Sequence, residues 1–155
     1  MIIILFQPLI PQNTGNIIRT CAALEASLLL VGPLGFRTSD RMMRRAGLDY
    51  GKNRPFEVID DLPKYLASKS SFYFFSSKKE AKKSYTEASY TEETVLIFGN
   101  EKEGLPKSLW ERWPERFVTI PMAPRCRCLN LSNACAVAGF EMRRQLQQVS
   151  QTPPE

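Results

Sequence analysis

Four short apolar runs, Ile2 to Phe6, Leu28 to Val31, Phe72 to Phe75 and Val95 to Phe98, punctuate the chain, each giving way to polar, proline or glycine-containing residues. Such runs are too short for a buried helix and lack the alternation of a strand with one wet face. They read as strands buried on both sides, the pattern of a parallel sheet covered by helices. The sequence between the first two agrees. After Pro8 and Pro11, the stretch Asn13-Thr14-Gly15-Asn16 offers N-caps, and Ile17, Ile18, Cys21, Ala22 and Leu24 continue at helical spacing, predicting a helix from about Asn16 to Ala26. Strand, helix, strand in that order is a parallel unit with a crossover.

The same reading carries through the rest of the chain. Ser39-Asp40 can cap a short basic helix containing Arg41, Arg44 and Arg45, which Gly47 would stop. Phe56 to Ile59 is a strand, and Asp60-Asp61 opens a helix through about Ala67. Lys78 to Lys83 reads as an exposed loop or short helix, Pro106 to Trp113 as a helix, Phe117 to Ile120 as a strand, and Ser132 to about Gln148 as the longest helix. No internal repeat or separating linker is visible, and 155 residues suit one domain. The expectation is a single α/β domain over residues 1–150, with a mostly parallel sheet flanked by helices and a short frayed tail at 151–155. Ligands of such sheets collect beyond the carboxyl ends of the strands, so the loops after Phe6, Phe75, Phe98 and Ile120 are where a site is expected.

Composition narrows the chemistry. With 43% hydrophobic and 24% charged residues the chain is neither disordered nor collagen-like. Lys plus Arg is 21 against 16 Asp plus Glu, and the net charge of +5 permits a polyanionic partner without requiring one. There is no histidine. Ser-His-Asp and Cys-His catalysis are therefore excluded, and a zinc site would need all four cysteines, Cys21, Cys126, Cys128 and Cys135. The Cys126-Arg127-Cys128 spacing is not the usual C-x-x-C knuckle, so no metal is expected. The opening apolar run has no basic flank and stops at Gln7-Pro8, unlike a secretory signal. No stretch approaches the roughly 20 apolar residues that cross a bilayer. A cytoplasmic protein with free thiols and no membrane partner is the expectation.

Three segments carry candidate chemistry, each with a structural reading beside a functional one. In the first, Asn13, Gly15 and Asn16 open a helix on which Arg19 shares a face with Asn16. This is either an N-cap with an exposed arginine, or a helix start and a guanidinium that hold phosphate or ribose oxygens. In the second, Phe98-Gly99-Asn100-Glu101-Lys102-Glu103-Gly104-Leu105-Pro106 sets two carboxylates between two glycines after a buried strand. It is a strand-to-helix turn, or a loop whose backbone approaches a ligand while the acids accept hydrogen bonds. Neither a Walker loop nor a G-x-G-x-x-G fingerprint is present. In the third, Ile120-Pro121-Met122-Ala123-Pro124 runs through Arg125-Cys126-Arg127-Cys128 to Leu129-Asn130-Leu131-Ser132, where Asn130 or Ser132 can cap the last helix. The small residues Ala134 to Gly139 then admit a close neighbour, either another element of the core or a ligand.

These motifs, in this order, resemble those of the SPOUT superfamily of knotted methyltransferases. The likeness covers almost the whole chain and is nearest to the minimal members that methylate the ribose 2′-hydroxyl of the tRNA wobble cytidine or uridine. Arg44-Arg45-Ala46-Gly47-Leu48-Asp49-Tyr50 is similar to that subgroup as well. The resemblance implies a C-terminal trefoil knot and a homodimer built partly on the first and last helices. It implies that S-adenosylmethionine is held by Phe75, Ser76, Gly99, Glu101, Ile120, Met122, Cys128, Leu129 and Asn130, and that S-adenosylhomocysteine is the product. Arg19 would be the catalytic residue, with Asn13, Asn16, Arg44, Arg45, Lys78, Arg125 and Arg127 on the tRNA anticodon loop. The sequence departs from the family's pattern at Cys128, commonly serine, at Phe140, often tyrosine, and at Gly51-Lys52, where a histidine often follows the Asp-Tyr pair. A SPOUT methyltransferase of another tRNA or ribosomal RNA position, and a noncatalytic RNA-binding module, are the alternative functions.

Overall fold

A computed structural model of the protein describes residues 1–37 and 56–151, with side chains described as far as Gln148. The basic segment with Arg41, Arg44 and Arg45 lies outside the described residues.

Each apolar run is a strand: β1 (Ile2–Phe6), β2 (Ser27–Val31), β4 (Phe72–Phe75) and β6 (Val95–Phe98), joined by β3 (Glu57–Ile59), β5 (Lys83–Ser84) and β7 (Phe117–Thr119). They form one sheet in the order β3-β2-β1-β6-β4-β7-β5. Every pairing between these strands is parallel. Period-two alternation divides the side chains between two cores. Ile3, Leu5, Leu30, Phe75, Leu96 and Phe98 face one side, while Ile4, Leu29, Phe72, Phe74, Val95 and Ile97 face the other. Each fully buried apolar side chain contributes about 1.5–3 kcal/mol, which is why neither face tolerates a polar interruption.

The first core is covered by α1 (Pro11–Leu24) and α4 (Leu131–Gln151). The second is covered by the short helices α2 (Leu62–Leu66) and α3 (Lys107–Arg112), through Leu62, Leu66 and Leu109. Asp61 caps α2 by accepting from the Lys64 N–H at 2.9 Å. Helices α1 and α4 pack closely at Gly139, whose missing Cβ leaves room for the Leu24 side chain. Arg143 Nη1 also donates to the Ala23 carbonyl at 2.9 Å. The small half of α4 therefore has a packing explanation at Gly139, Cys135 and Ala138.

The boundary that differs most from the sequence reading is the start of the first helix. Helix α1 starts at Pro11, so Asn13, Thr14 and Gly15 lie inside it and are buried, and no side chain caps it locally. Proline at the first turn fixes φ and supplies no N–H that would need a partner. The Lys-rich segment ends in the two-residue edge strand β5, where the sequence predicts an exposed loop or short helix.

Candidate functional site

Strands β6, β4 and β7 are neighbours, and their carboxyl ends lie level: Phe75 is in register with both Phe98 and Val118. Beyond that edge lies a cavity of about 440 Å³. The stacked rings of Phe75 and Phe98, 4.7 Å apart, are part of its wall, together with Ile120, Met122 and Leu129 from the third motif.

The loop between Gly99 and Gly104 is closed on itself. Asn100 and Gly104 exchange backbone hydrogen bonds of 3.3 and 3.1 Å. Asn100 Oδ1 accepts from the N–H groups of Lys102 and Glu103 at 3.0 and 2.7 Å. Glycine is required at both ends for different reasons: a Cβ on Gly99 would stand 2.1 Å from the Gly104 carbonyl carbon, and Gly104 has φ +73°. This folding turns the Glu101 side chain toward the start of α1. One carboxylate oxygen accepts from the Leu9 N–H at 2.9 Å; the other accepts from the Ile10 N–H at 3.2 Å and from Asn13 Nδ2 at 3.0 Å. The distant carboxylate thus gathers the two N–H groups that lead into α1 and the Asn13 side chain within its first turn.

Asn13 connects onward. Its Oδ1 accepts from Asn130 Nδ2 at 3.0 Å, and Asn130 Oδ1 accepts from both the N–H and the Oγ of Ser132, at 2.9 and 2.7 Å. Asn130 is therefore the cap of α4. One hydrogen-bonded chain joins all three motifs, and Asn13, only 6% exposed, is satisfied at both ends.

All nine residues expected to hold the cofactor, Phe75, Ser76, Gly99, Glu101, Ile120, Met122, Cys128, Leu129 and Asn130, line this one cavity. Of the residues expected on RNA, Asn13 and Lys78 line it too. Arg19, Asn16, Arg125 and Arg127 are exposed and lie outside its lining, while Arg44 and Arg45 fall outside the described residues. The sequence reading did not assign Asn100 or Leu105 to the site, although both stand in the second motif. Nor did it assign Ile10 and Ala134, whose places at the cavity follow only from the packing of α1 and α4.

The thiols divide by environment. Burial pushes Cys21 up to about 12, and burial raises Cys135 well above its ordinary value, with Cys21 and Glu101 adding to the effect. Both are chemically quiet packing residues. Cys126 and Cys128 are exposed and free. Among the described residues there is no cluster of three or more cysteine, aspartate or glutamate side chains placed to hold a metal ion. No described helix is long and apolar enough to cross a membrane.

Residues 1–140 match the model of the SpoU rRNA Methylase family. The chain belongs to that family. This agrees with the SPOUT resemblance carried by the three motifs. Among relatives of this SpoU methylase chain, the tRNA (cytidine(34)-2'-O)-methyltransferase of Escherichia coli strain K12 is 39% identical over 145 residues, 93% of this chain and 92% of that one. A structure described as giving insight into the 2-OH methylation of C/U34 on tRNA superposes with a TM-score of 0.85 at 38% identity, covering 95% of this chain and 96% of that one. An AdoMet-bound rRNA methyltransferase from Sinorhizobium meliloti superposes with a TM-score of 0.78 at 28% identity, covering 94% of this chain and 56% of that longer one.

Proposed function

We infer that the protein transfers the methyl group of S-adenosylmethionine to the ribose 2′-hydroxyl of nucleotide 34, cytidine or uridine, in the anticodon loop of tRNA, releasing S-adenosylhomocysteine. The observation that carries this reading is the convergence of three sequence motifs on one cavity, joined by the Glu101, Asn13, Asn130 and Ser132 hydrogen bonds. Near-full-length identity to a methyltransferase of tRNA cytidine 34 supports the substrate.

The cavity suits the cofactor. Its volume of about 440 Å³ falls within the roughly 300–1,000 Å³ of small-molecule sites. Phe75, Ile120, Met122 and Leu129 offer apolar surface for a purine ring and a thioether chain, while the loop backbone from Gly99 and the Ser76 hydroxyl offer polar contacts. When bound, the cofactor supplies an activated methyl group on its sulfonium, so the reaction needs no nucleophile from the protein. What the chain must provide is position, water exclusion and charge. The apolar part of the wall offers a surface that water wets poorly, and Lys78 contributes a cationic side chain to the lining. Asn16 and Arg19 occupy the exposed face of α1, whose buried face carries Asn13. A guanidinium is a permanent cation with a two-pronged donor set. Arg19 therefore serves to hold the phosphate beside the reacting ribose and to stabilise the alkoxide that develops on its oxygen, rather than to take the proton.

A single small domain offers little surface to an anticodon arm, and RNA crossing two subunits of a homodimer belongs to this reading. It is supported by Val137 and Phe140, 38% and 51% exposed on one face of α4. The C-terminal trefoil knot and a cytoplasmic location belong to it too. The test is transfer of labelled methyl from S-adenosylmethionine to unfractionated tRNA, followed by nuclease mapping with mass spectrometry. A methyl on the ribose of nucleotide 34 is expected. Label elsewhere would keep the reaction class and move the target, and absence of both transfer and cofactor binding would overturn the enzyme.

A further inference from the structure

Cys126 and Cys128 differ from the buried pair in exposure and in their place in the fold. Both are exposed and free, and they stand in the connection between β7 and α4, outside any helix or strand. Cys128 lines the cavity next to Leu129, whereas Cys126 does not. The Cys126 N–H donates to the Ala123 carbonyl at 2.9 Å, closing a turn just before the pair. Two residues apart, their Cα atoms can be separated by no more than about 7 Å, and disulfides span about 4.4–6.8 Å. No helical or ladder hydrogen bond holds the intervening Arg127. Exposed guanidinium groups at Arg125 and Arg127 flank the thiols and offer attraction to an anionic disulfide reagent.

We propose that Cys126 and Cys128 form a reversible disulfide within this loop, closing the cavity to S-adenosylmethionine when the surroundings become oxidising. The inference rests on the cofactor reading of the cavity given above. In the reaction, one cysteine sulfur, as thiolate, attacks a low-molecular-weight disulfide such as glutathione disulfide and releases one thiol; the second cysteine sulfur then displaces the other. Two S–H bonds are lost, one S–S bond forms, and the reagent leaves as two thiols carrying both electrons and both protons. Drawing Cys128 toward Cys126 shifts the cavity wall at Cys128 and Leu129. It also pulls on Asn130, whose side chain holds Asn13 at 3.0 Å. Pocket and interlock are disturbed together.

The full chain provides the test. S-adenosylhomocysteine binding is measured by calorimetry on reduced protein, on protein treated with glutathione disulfide, and after re-reduction. Treated protein is expected to bind roughly tenfold more weakly or worse, with recovery on reduction. Trypsin cuts after Arg125 and Arg127, so the bond appears in unreduced digests as the dipeptide Cys126-Arg127 linked to the peptide of residues 128–143, with fragmentation placing the link on Cys128 rather than on Cys135 of the same peptide. Cys126→Ser is expected to bind normally when reduced, to lack the linked peptide, and to keep its binding after treatment. Undiminished binding by protein that carries the linked peptide overturns the proposal, as does failure of the peptide to form. Equal loss in Cys126→Ser overturns the pair in favour of an adduct on Cys128. Reduced protein that binds no S-adenosylhomocysteine overturns the cofactor reading itself, and this inference with it.

Discussion

Asn130 Nδ2 donates to Asn13 Oδ1 at 3.0 Å, across 117 residues of sequence. The direction of this bond is dictated from both ends. A carboxylate only accepts, so Asn13 presents its NH₂ to Glu101 and its oxygen to Asn130; a backbone N–H only donates, so Asn130 presents its oxygen to Ser132. Two asparagines that could each be turned either way are thereby fixed, and with them the relative placement of α1, the Gly99 to Gly104 loop and the start of α4.

The anchor of this chain is Glu101. Glu101→Ala leaves the Leu9 and Ile10 N–H groups and the Asn13 amide without their acceptor, which costs about 1–3 kcal/mol in urea denaturation. Glu101→Gln recovers only part of this, because an NH₂ would face the N–H of Leu9 or of Ile10. A stability unchanged in both variants would show that the carboxylate does not hold α1.

Gly99 is constrained by the neighbouring backbone. Gly99→Ala puts a methyl 2.1 Å from the Gly104 carbonyl carbon, and main chain cannot yield as a side-chain tip can. Overpacking of this kind costs about 1–3 kcal/mol, and because the displaced loop lines the cavity, S-adenosylhomocysteine affinity falls with it. Gly32→Ala, where an added Cβ meets nothing within 4 Å, provides the contrast and leaves affinity unchanged. Calorimetry on the two variants separates a clash from a general intolerance of substitution.

Acid stability should bear the mark of Glu141. Arg144 donates to both its carboxylate oxygens at 2.8 Å and Gln145 donates at 2.8 Å, and the Arg144 bonds are the main cause holding its carboxyl below the ordinary value of 4.5. The folded chain therefore takes up this proton less readily than the unfolded chain. The stabilisation is fully present above pH 4.5 and is lost as the pH falls through the lower folded value. Urea midpoints measured from pH 7 down to the acid limb should place Glu141→Gln below the parent at neutrality, with the gap closing in acid. A gap that stays constant would assign the loss to packing.

How much of this was legible depends on the distance over which each feature is determined. The runs Ile2 to Phe6 and Val95 to Phe98 announce their burial on both faces, because a strand inside a parallel sheet has no wet side. Lys83-Ser84 announces nothing: two polar residues become a strand only because Val118 and Thr119 offer a free edge. Asn13 to Asn16 carry ordinary cap chemistry, yet α1 begins before them at Pro11, and the two N–H groups just ahead of it, of Leu9 and Ile10, face an acceptor 92 and 91 residues away. The particular lining residues follow from the resemblance of the three motifs, whereas the loops that hold the cavity were readable because they follow visible apolar runs. The interlock behind it was not, because no local pattern ties a glutamate in one loop to an asparagine in a helix.

On the proposed reading, Arg19 would separate substrate handling from cofactor binding. It stands on the exposed face of α1, outside the lining of the cavity, so its removal takes nothing from the cofactor's surroundings. Arg19→Ala should leave S-adenosylhomocysteine affinity unchanged and lower single-turnover methyl transfer by roughly 10²-fold, the scale of one organised charge at a developing oxyanion. Arg19→Lys keeps the charge but loses the two-pronged geometry, so it should recover only part of the rate. Because phosphate contacts release counterions, tRNA affinity should fall steeply with salt for the parent and less steeply for Arg19→Ala. Near-normal turnover in Arg19→Ala would remove this arginine from the reaction, and an unchanged salt slope would remove it from the phosphate.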